Sequence, residues 1–149
     1  LQKYTQHPLI INQLQLSIVH SVMIDSGMNM NMKESWAQDK DGGVLDYCRL
    51  HDITIQPWSV VQASWTEGCF IDHPNYEKLN SVMEKLADEY HVTKSAIAIA
   101  WLLRHPACMQ PIMGTPSPAH LKEMVQACDI HLTRQQWYDL YLASDKPLP

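Results

Sequence analysis

Polar and apolar residues change period along this chain, and the changes mark its elements. From Pro8 to Leu16 the period is two, with Leu14 and Leu16 alternating against Gln13 and Gln15, which predicts a strand. Val44 to His51 carries Val44, Leu45 and Cys48 at helical spacing and reads as a short amphipathic helix. Ile53 to Ser59 is a second strand. From Tyr76 the period becomes 3.6: Leu79, Val82, Met83, Leu86 and Tyr90 form one stripe. Thr93 caps a further helix, Ser95 to Arg104, apolar almost all round and therefore expected to be buried, with His105-Pro106 ending it.

Gln110 to Met113 reads as a third strand, followed by a tight turn at Gly114 and a helix capped by Ser117 with Pro118 at its first position. Leu121, Met124, Val125 and Cys128 should form that helix's apolar face. Thr133-Arg134-Gln135-Gln136 has the capping-box pattern for a last helix carrying Trp137, Leu140 and Tyr141. Two stretches lack periodicity. Ser17 to Asp41 is long and rich in Met and Asn, and Gln62 to Asn75 is punctuated by Gly68 and Pro74, so both read as loops.

Strands separated by helices indicate βα units and a parallel sheet. A parallel sheet is normally covered on both faces or closed into a barrel, and three strands close nothing. The expected fold class is α/β, the C-terminal part of a (β/α)8 barrel with about three strands. Residues 1–149 would form the C-terminal half of one barrel domain whose N-terminal half is not in this chain.

Composition narrows the function. A hydrophobic content of 46% with 18% charged residues describes a chain that buries a core. A net charge of −5, with scattered Lys and Arg, argues against a nucleic-acid surface. No apolar run reaches membrane-spanning length, and the polar start Leu1-Gln2-Lys3-Tyr4-Thr5-Gln6 is no secretion signal. Cys48, Cys69, Cys108 and Cys128 are far apart, which suits free thiols and a cytoplasmic location. No two of the eight histidines share a helix face at ligand spacing, so no metal site is expected. His51, His73, His91, His105 and His131 fall near element boundaries, where a solvated ring is the ordinary case.

The stretch with most chemical promise is Pro111 to Met124. A strand running through a glycine turn into a capped helix gathers backbone N–H groups and the positive helix end at one point, which suits an anion such as phosphate. Taken alone, it reads more readily as an ordinary strand-to-helix turn. Cys108 with His105 allows a thiol hydrolase on spacing alone, with no visible third member.

Several runs in order give a resemblance. They are Asn12-Gln13-Leu14-Gln15, Gln56-Pro57-Trp58-Ser59, Ala96-Ile97-Ala98-Ile99-Ala100-Trp101-Leu102-Leu103-Arg104, Pro111-Ile112-Met113-Gly114-Thr115 and Leu132-Thr133-Arg134-Gln135-Gln136-Trp137-Tyr138. Together the chain resembles the C-terminal half of an aldo/keto reductase, from near the sixth barrel strand onward, and is most similar to bacterial members.

The resemblance implies an NAD(P)H-dependent oxidoreductase that reduces aldehydes or ketones. Gln13, at the end of its strand, would hydrogen-bond the nicotinamide carboxamide. Trp58 would stack on the nicotinamide ring, against the alternative of simple packing. Ser59 and Val61 match positions lining the pyrophosphate. Gly114, Thr115 and Ser117 would hold the adenosine 2′-phosphate, and His120 stands in the same stretch. Glu123 matches a residue that contacts adenine, or is a solvated helix charge. NADP(H) is the implied cofactor, with NAD(H) the other choice.

There are departures. Gly114 stands where many members have Lys, His120 where they have Arg, Met124 where they have Asn, and Val60 where a proline is usual. The family's catalytic Asp, Tyr, Lys and His belong to the N-terminal half, so no catalytic residue is assigned here, Tyr47 and Tyr90 included. The expected partner is a small carbonyl substrate, met by the full-length protein. A rival reading is a catalytically silent half-barrel that binds cofactor weakly or assembles with another half, through exposed barrel edges that also favour self-association. The loops Ser17 to Asp41 and Gln62 to Asn75, with Met23, Met28, Trp36, Trp65 and Phe70, would form an apolar substrate pocket.

Overall fold

The computed structural model describes residues 1–149. Its centre is a parallel pair, β1 (Ile11–Gln15) and β2 (Thr54–Trp58), in a register that sets Gln13 beside Gln56 and Gln15 beside Trp58. Between them lie α1 (Val22–Met28) and α2 (Val44–Leu50). After β2 comes a short antiparallel hairpin, β3 (Gln62–Ser64) and β4 (Gly68–Cys69). The helices α3 (Glu77–Tyr90), α4 (Lys94–Leu103), α5 (Pro118–Val125) and α6 (Arg134–Ala143) complete the order.

The expected third strand is only half formed. Gln110 and Ile112 donate their backbone N–H groups to the Ile55 and Pro57 carbonyls at 3.0 and 2.8 Å. In a parallel ladder the returning bonds would come from residues 57 and 59. Pro57 has no N–H, and Ser59 turns into the left-handed region at φ 56°. The segment therefore lies along β2 without completing a ladder, and the regular parallel sheet has two strands rather than three.

Three further expectations are corrected. The stretch 17–41 is not wholly irregular, since it contains α1, in which Met23 and Ile24 turn inward. The stretch 62–75 is not a plain loop but contains the β3–β4 hairpin. Gly114 is not a tight turn: its φ is not positive, and residues 110–117 run without a turn into α5.

α4 is the hub. Every residue from Ala96 to Leu102 is buried, and the helix packs against α3, α5 and the 3-10 turn Gln126–Asp129. Each large side chain sealed in this way contributes roughly 1.5–3 kcal/mol. Thr93 caps it by accepting the Ala96 N–H. α6 starts with the full capping box: Thr133 Oγ1 accepts the Gln136 N–H at 3.2 Å, and Gln136 Oε1 accepts the Thr133 N–H at 2.8 Å. On α5 only Met124 is buried. Leu121 and Val125 face outward, against the expected inward stripe, because α5 meets α4 along a single line.

Asn80, a polar residue beside the apolar stripe of α3, is buried. Its Nδ2 donates to the Phe70 and Tyr76 carbonyls at 2.8 and 2.9 Å, and its Oδ1 accepts the Asp72 N–H at 2.7 Å. One side chain thus ties the segment after β4 to α3.

Candidate functional site

The two faces of the sheet differ. Ile55 and Pro57 are buried under the helices, whereas Gln56 and Trp58 are only half-buried on the opposite face. The register places Gln13 on that open face, where it is exposed. Gln13 Nε2 donates to Gln56 Oε1 at 3.0 Å, and Gln56 Nε2 donates to Gln110 Oε1 at 2.7 Å. An amide ladder therefore crosses all three extended segments. Gln13 is the middle residue of β1, not its end, and in this structure its amide is engaged within the ladder.

Where β2 ends, Ser59 adopts φ 56° and reverses the chain. Its hydroxyl donates to Gln62 Oε1 at 2.7 Å, and the Ser59 carbonyl accepts the Gln62 N–H at 3.0 Å. These two bonds hold a left-handed conformation that costs a non-glycine residue on the order of 1 kcal/mol. Val60 is buried beneath the turn, so an apolar side chain anchors it where no proline is present.

Across from this turn, Ser117 Oγ accepts the His120 N–H at 3.4 Å, and Thr115 Oγ1 accepts the Ser117 N–H at 3.2 Å. Between the two loops lies a cleft of about 480 Å³. Ser59, Val61, Gly114, Thr115, His120 and Glu123 all line it. Gln13, Trp58 and Ser117 do not; Ser117 acts as a helix cap, and Trp58 stands on the neighbouring sheet face. Cys69 and Ser95, which carry no signal in the sequence, also border the cleft, because the hairpin folds back beside α4.

The cleft is rich in donors. The backbone N–H groups of Ser59, Val60 and Val61, and of Gly114 and Thr115, meet no protein acceptor. No Lys or Arg lines the cleft, and the Glu123 carboxylate takes part in no ion pair or hydrogen bond. Lys94 lies beside Ser95 but is held by Asp72 and by Glu84, the latter at 2.7 Å.

A second cleft, of about 330 Å³, lies elsewhere, between the C-terminal end of α4 and the start of α6. Arg104, His105, Arg134 and Tyr138 line it, together with Met28. His105 is not a solvated boundary residue. Its Nδ1 accepts the Ala107 N–H at 3.2 Å, and burial, reinforced by Arg49, lowers its pKa to about 4. The Cys108 thiol is directed to the Pro106 carbonyl, and His105 makes no bond to it, so the thiol-hydrolase pair does not form.

The expected apolar substrate pocket is not assembled by the named residues. Met23 and Phe70 are in the core, Met28 borders the arginine cleft, and Trp65 is exposed. The loop after β1 is instead tied to the chain end. Lys146 Nζ donates to the Ile18 carbonyl and to Ser21 Oγ, and lies 5.3 Å from the Tyr141 ring centre. Burial lowers the Lys146 pKa to about 8, with Asp25 opposing the shift. No group of three or more His, Cys, Asp or Glu side chains is placed to hold a metal ion. No helix is long and apolar enough to cross a membrane.

Comparison with known proteins gives a family and a fold. The model of the aldo/keto reductase family matches residues 7–142. A 6-dehydroglucose reductase of Agrobacterium fabrum is 26% identical over 141 residues, covering 95% of this chain and 40% of its own length. Oxidoreductase YdhF of Escherichia coli is 24% identical over 147 residues, covering 97% of this chain and 42% of its own. Among solved structures, the thermostable aldo-keto reductase Tm1743 in complex with the inhibitor epalrestat superposes with a TM-score of 0.63 at 20% identity. It covers 95% of this chain and 42% of that one. This chain therefore spans about two fifths of the length of such relatives. On its sequence and its fold, the chain belongs to the aldo/keto reductase family.

Proposed function

We propose that this chain is the C-terminal part of a (β/α)8-barrel oxidoreductase and carries the nucleotide-binding side of a nicotinamide-dependent carbonyl reductase. The observation that carries this reading is the convergence of Ser59, Val61, Gly114, Thr115, His120 and Glu123, drawn from β2's end and α5's start, on one cleft. The free N–H donors on both loops suit a pyrophosphate, which is held by neutral or cationic donors. Trp58 offers an aromatic face of the size of a nicotinamide ring, on the same side of the sheet as the amide ladder. Opening the Gln13–Gln56 bond would free an amide for the carboxamide group.

When bound, the cofactor supplies the hydride. The residues of this chain would bind and orient it, and a general acid would come from the missing N-terminal half. Alone, the chain is then a poor catalyst. Four unpaired cysteines suit a reducing compartment such as the cytoplasm.

A second reading is favoured by the exposed apolar side chains at the two ends of the sheet. Ile10 and Ile11 at the β1 edge, Tyr47 and Leu50 on α2, and Leu121 and Val125 on α5 lie open to solvent. In a closed barrel these are the places where neighbouring βα units pack. A complementary half, or a second copy, would cover them.

Calorimetric titration of the purified chain with NADH and with NADPH tests the nucleotide reading. Saturable one-to-one binding of either supports it. Absence of heat with both, while the circular dichroism stays helical, refutes a preformed site.

A further inference from the structure

We infer that the cleft selects the dinucleotide without a 2′-phosphate, so that NAD(H) binds more tightly than NADP(H). The inference rests on the nucleotide reading above and concerns only the charge pattern of the same site.

A 2′-phosphate brings close to two negative charges at neutral pH and calls for guanidinium or ammonium partners. None is available. Among the lining residues there is no Lys or Arg. The closest lysine in sequence to a lining residue on the α4 side, Lys94, already serves two carboxylates. Lys122 is exposed on α5 and does not line the cleft.

What the cleft holds instead is Glu123, half-buried and without a partner. A partly desolvated carboxylate repels a phosphate dianion and accepts hydrogen bonds from hydroxyl groups, so it discriminates in favour of a free ribose diol. The remaining donors, the backbone N–H groups of Gly114 and Thr115 and the loop N–H groups at Ser59 to Val61, are uncharged. They suffice for the pyrophosphate common to both cofactors but give no advantage to the extra phosphate.

The geometry also permits reversal. A Cβ at Gly114 would meet no atom within 4 Å, and the φ there is not positive, so a lysine fits without strain. His120 is exposed and makes no side-chain hydrogen bond, so an arginine fits as well.

The test is calorimetry with NADH, NADPH and the half-ligands AMP and 2′,5′-ADP on three proteins: the unchanged chain, Glu123→Gln, and the double variant Gly114→Lys, His120→Arg. For the unchanged chain NADH should bind at least about tenfold more tightly than NADPH, and AMP more tightly than 2′,5′-ADP. Glu123→Gln should narrow both ratios, and the double variant should reverse them in a salt-sensitive manner. NADPH binding as tightly as NADH or tighter in the unchanged chain overturns the selectivity and leaves the nucleotide reading standing. Binding of neither dinucleotide overturns both.

Discussion

Trp101 of α4 and Trp137 of α6 lie face to face, with ring centres 4.8 Å apart and planes 6° from parallel. Each indole N–H donates to the backbone carbonyl of the other residue, at 3.2 Å from Trp101 and 3.0 Å from Trp137. The pair is therefore a reciprocal clamp: both aromatic faces and both polar ends are satisfied within it. Tyr141 continues the stack at 5.8 Å from Trp137. The clamp fixes the outer helix to the buried one, and α4 in turn borders the cleft between the end of β2 and α5 through Ser95.

Trp137→Ala should cost about 3–5 kcal/mol, because it opens a large cavity and removes the indole N–H that donates to the Trp101 carbonyl. Urea denaturation measures this. A loss below about 1 kcal/mol would mean that α6 is not clamped to α4 as described.

Asn80→Leu should also destabilise, by about 2 kcal/mol or more, despite raising the hydrophobicity of a buried site. It strands the Asp72 N–H and takes the amide donor away from the Phe70 and Tyr76 carbonyls. A neutral or stabilising result in the same denaturation assay would contradict that role.

Stability should rise with pH in two separate windows. The unfolded chain protonates His105 near 6.5, but the folded chain does so only near 4. The unfolded state thus binds more protons between these values, and stability is lost as pH falls from 6.5 towards 4. Protonation would also remove the Nδ1 acceptor used by Ala107. Lys146 behaves alike at higher pH: it loses its proton near 8 when folded and near 10.5 when unfolded, so stability climbs between those values. Thermal melts across pH should show the acid slope flattened in His105→Asn and the alkaline slope flattened in Lys146→Met. Unchanged slopes would show that neither group is buried as placed.

Trp58→Ala should weaken dinucleotide binding more than Trp36→Ala. Trp58 stands on the open face beside the amide ladder, whereas Trp36 lies in a surface 3-10 turn and does not line the cleft. Equal losses in a binding titration would remove Trp58 from the site.

The sequence was most legible where one local signal decides an element. Thr93, Ser117 and Thr133 cap the helices they were expected to cap, and the unbroken apolar run of α4 is buried as its composition required. It misled where tertiary context overrides local pattern. The third strand looked complete until Pro57 and Ser59, on the neighbouring strand, proved unable to return its hydrogen bonds. Leu121 and Val125 have helical spacing, yet they face outward because nothing in this chain covers that side of α5. Ser59, Val61, Gly114, Thr115, His120 and Glu123, named from the family resemblance, lie together along the cleft though they come from segments far apart in the chain, whereas Gln13, Trp58 and Ser117 lie outside it. Asn80, Cys69 and Ser95 were not legible, since a polar residue in an amphipathic helix or a short hairpin carries no mark of where it will be buried.

The most direct measurement is a nitrogen-15 amide shift map of the chain titrated with NADH. The largest shifts should fall on residues 59–62, 69–71 and 114–123, around the cleft between β2 and α5. Shifts confined instead to Arg104, His105, Arg134 and Tyr138 would place the ligand in the arginine cleft and contradict the assignment.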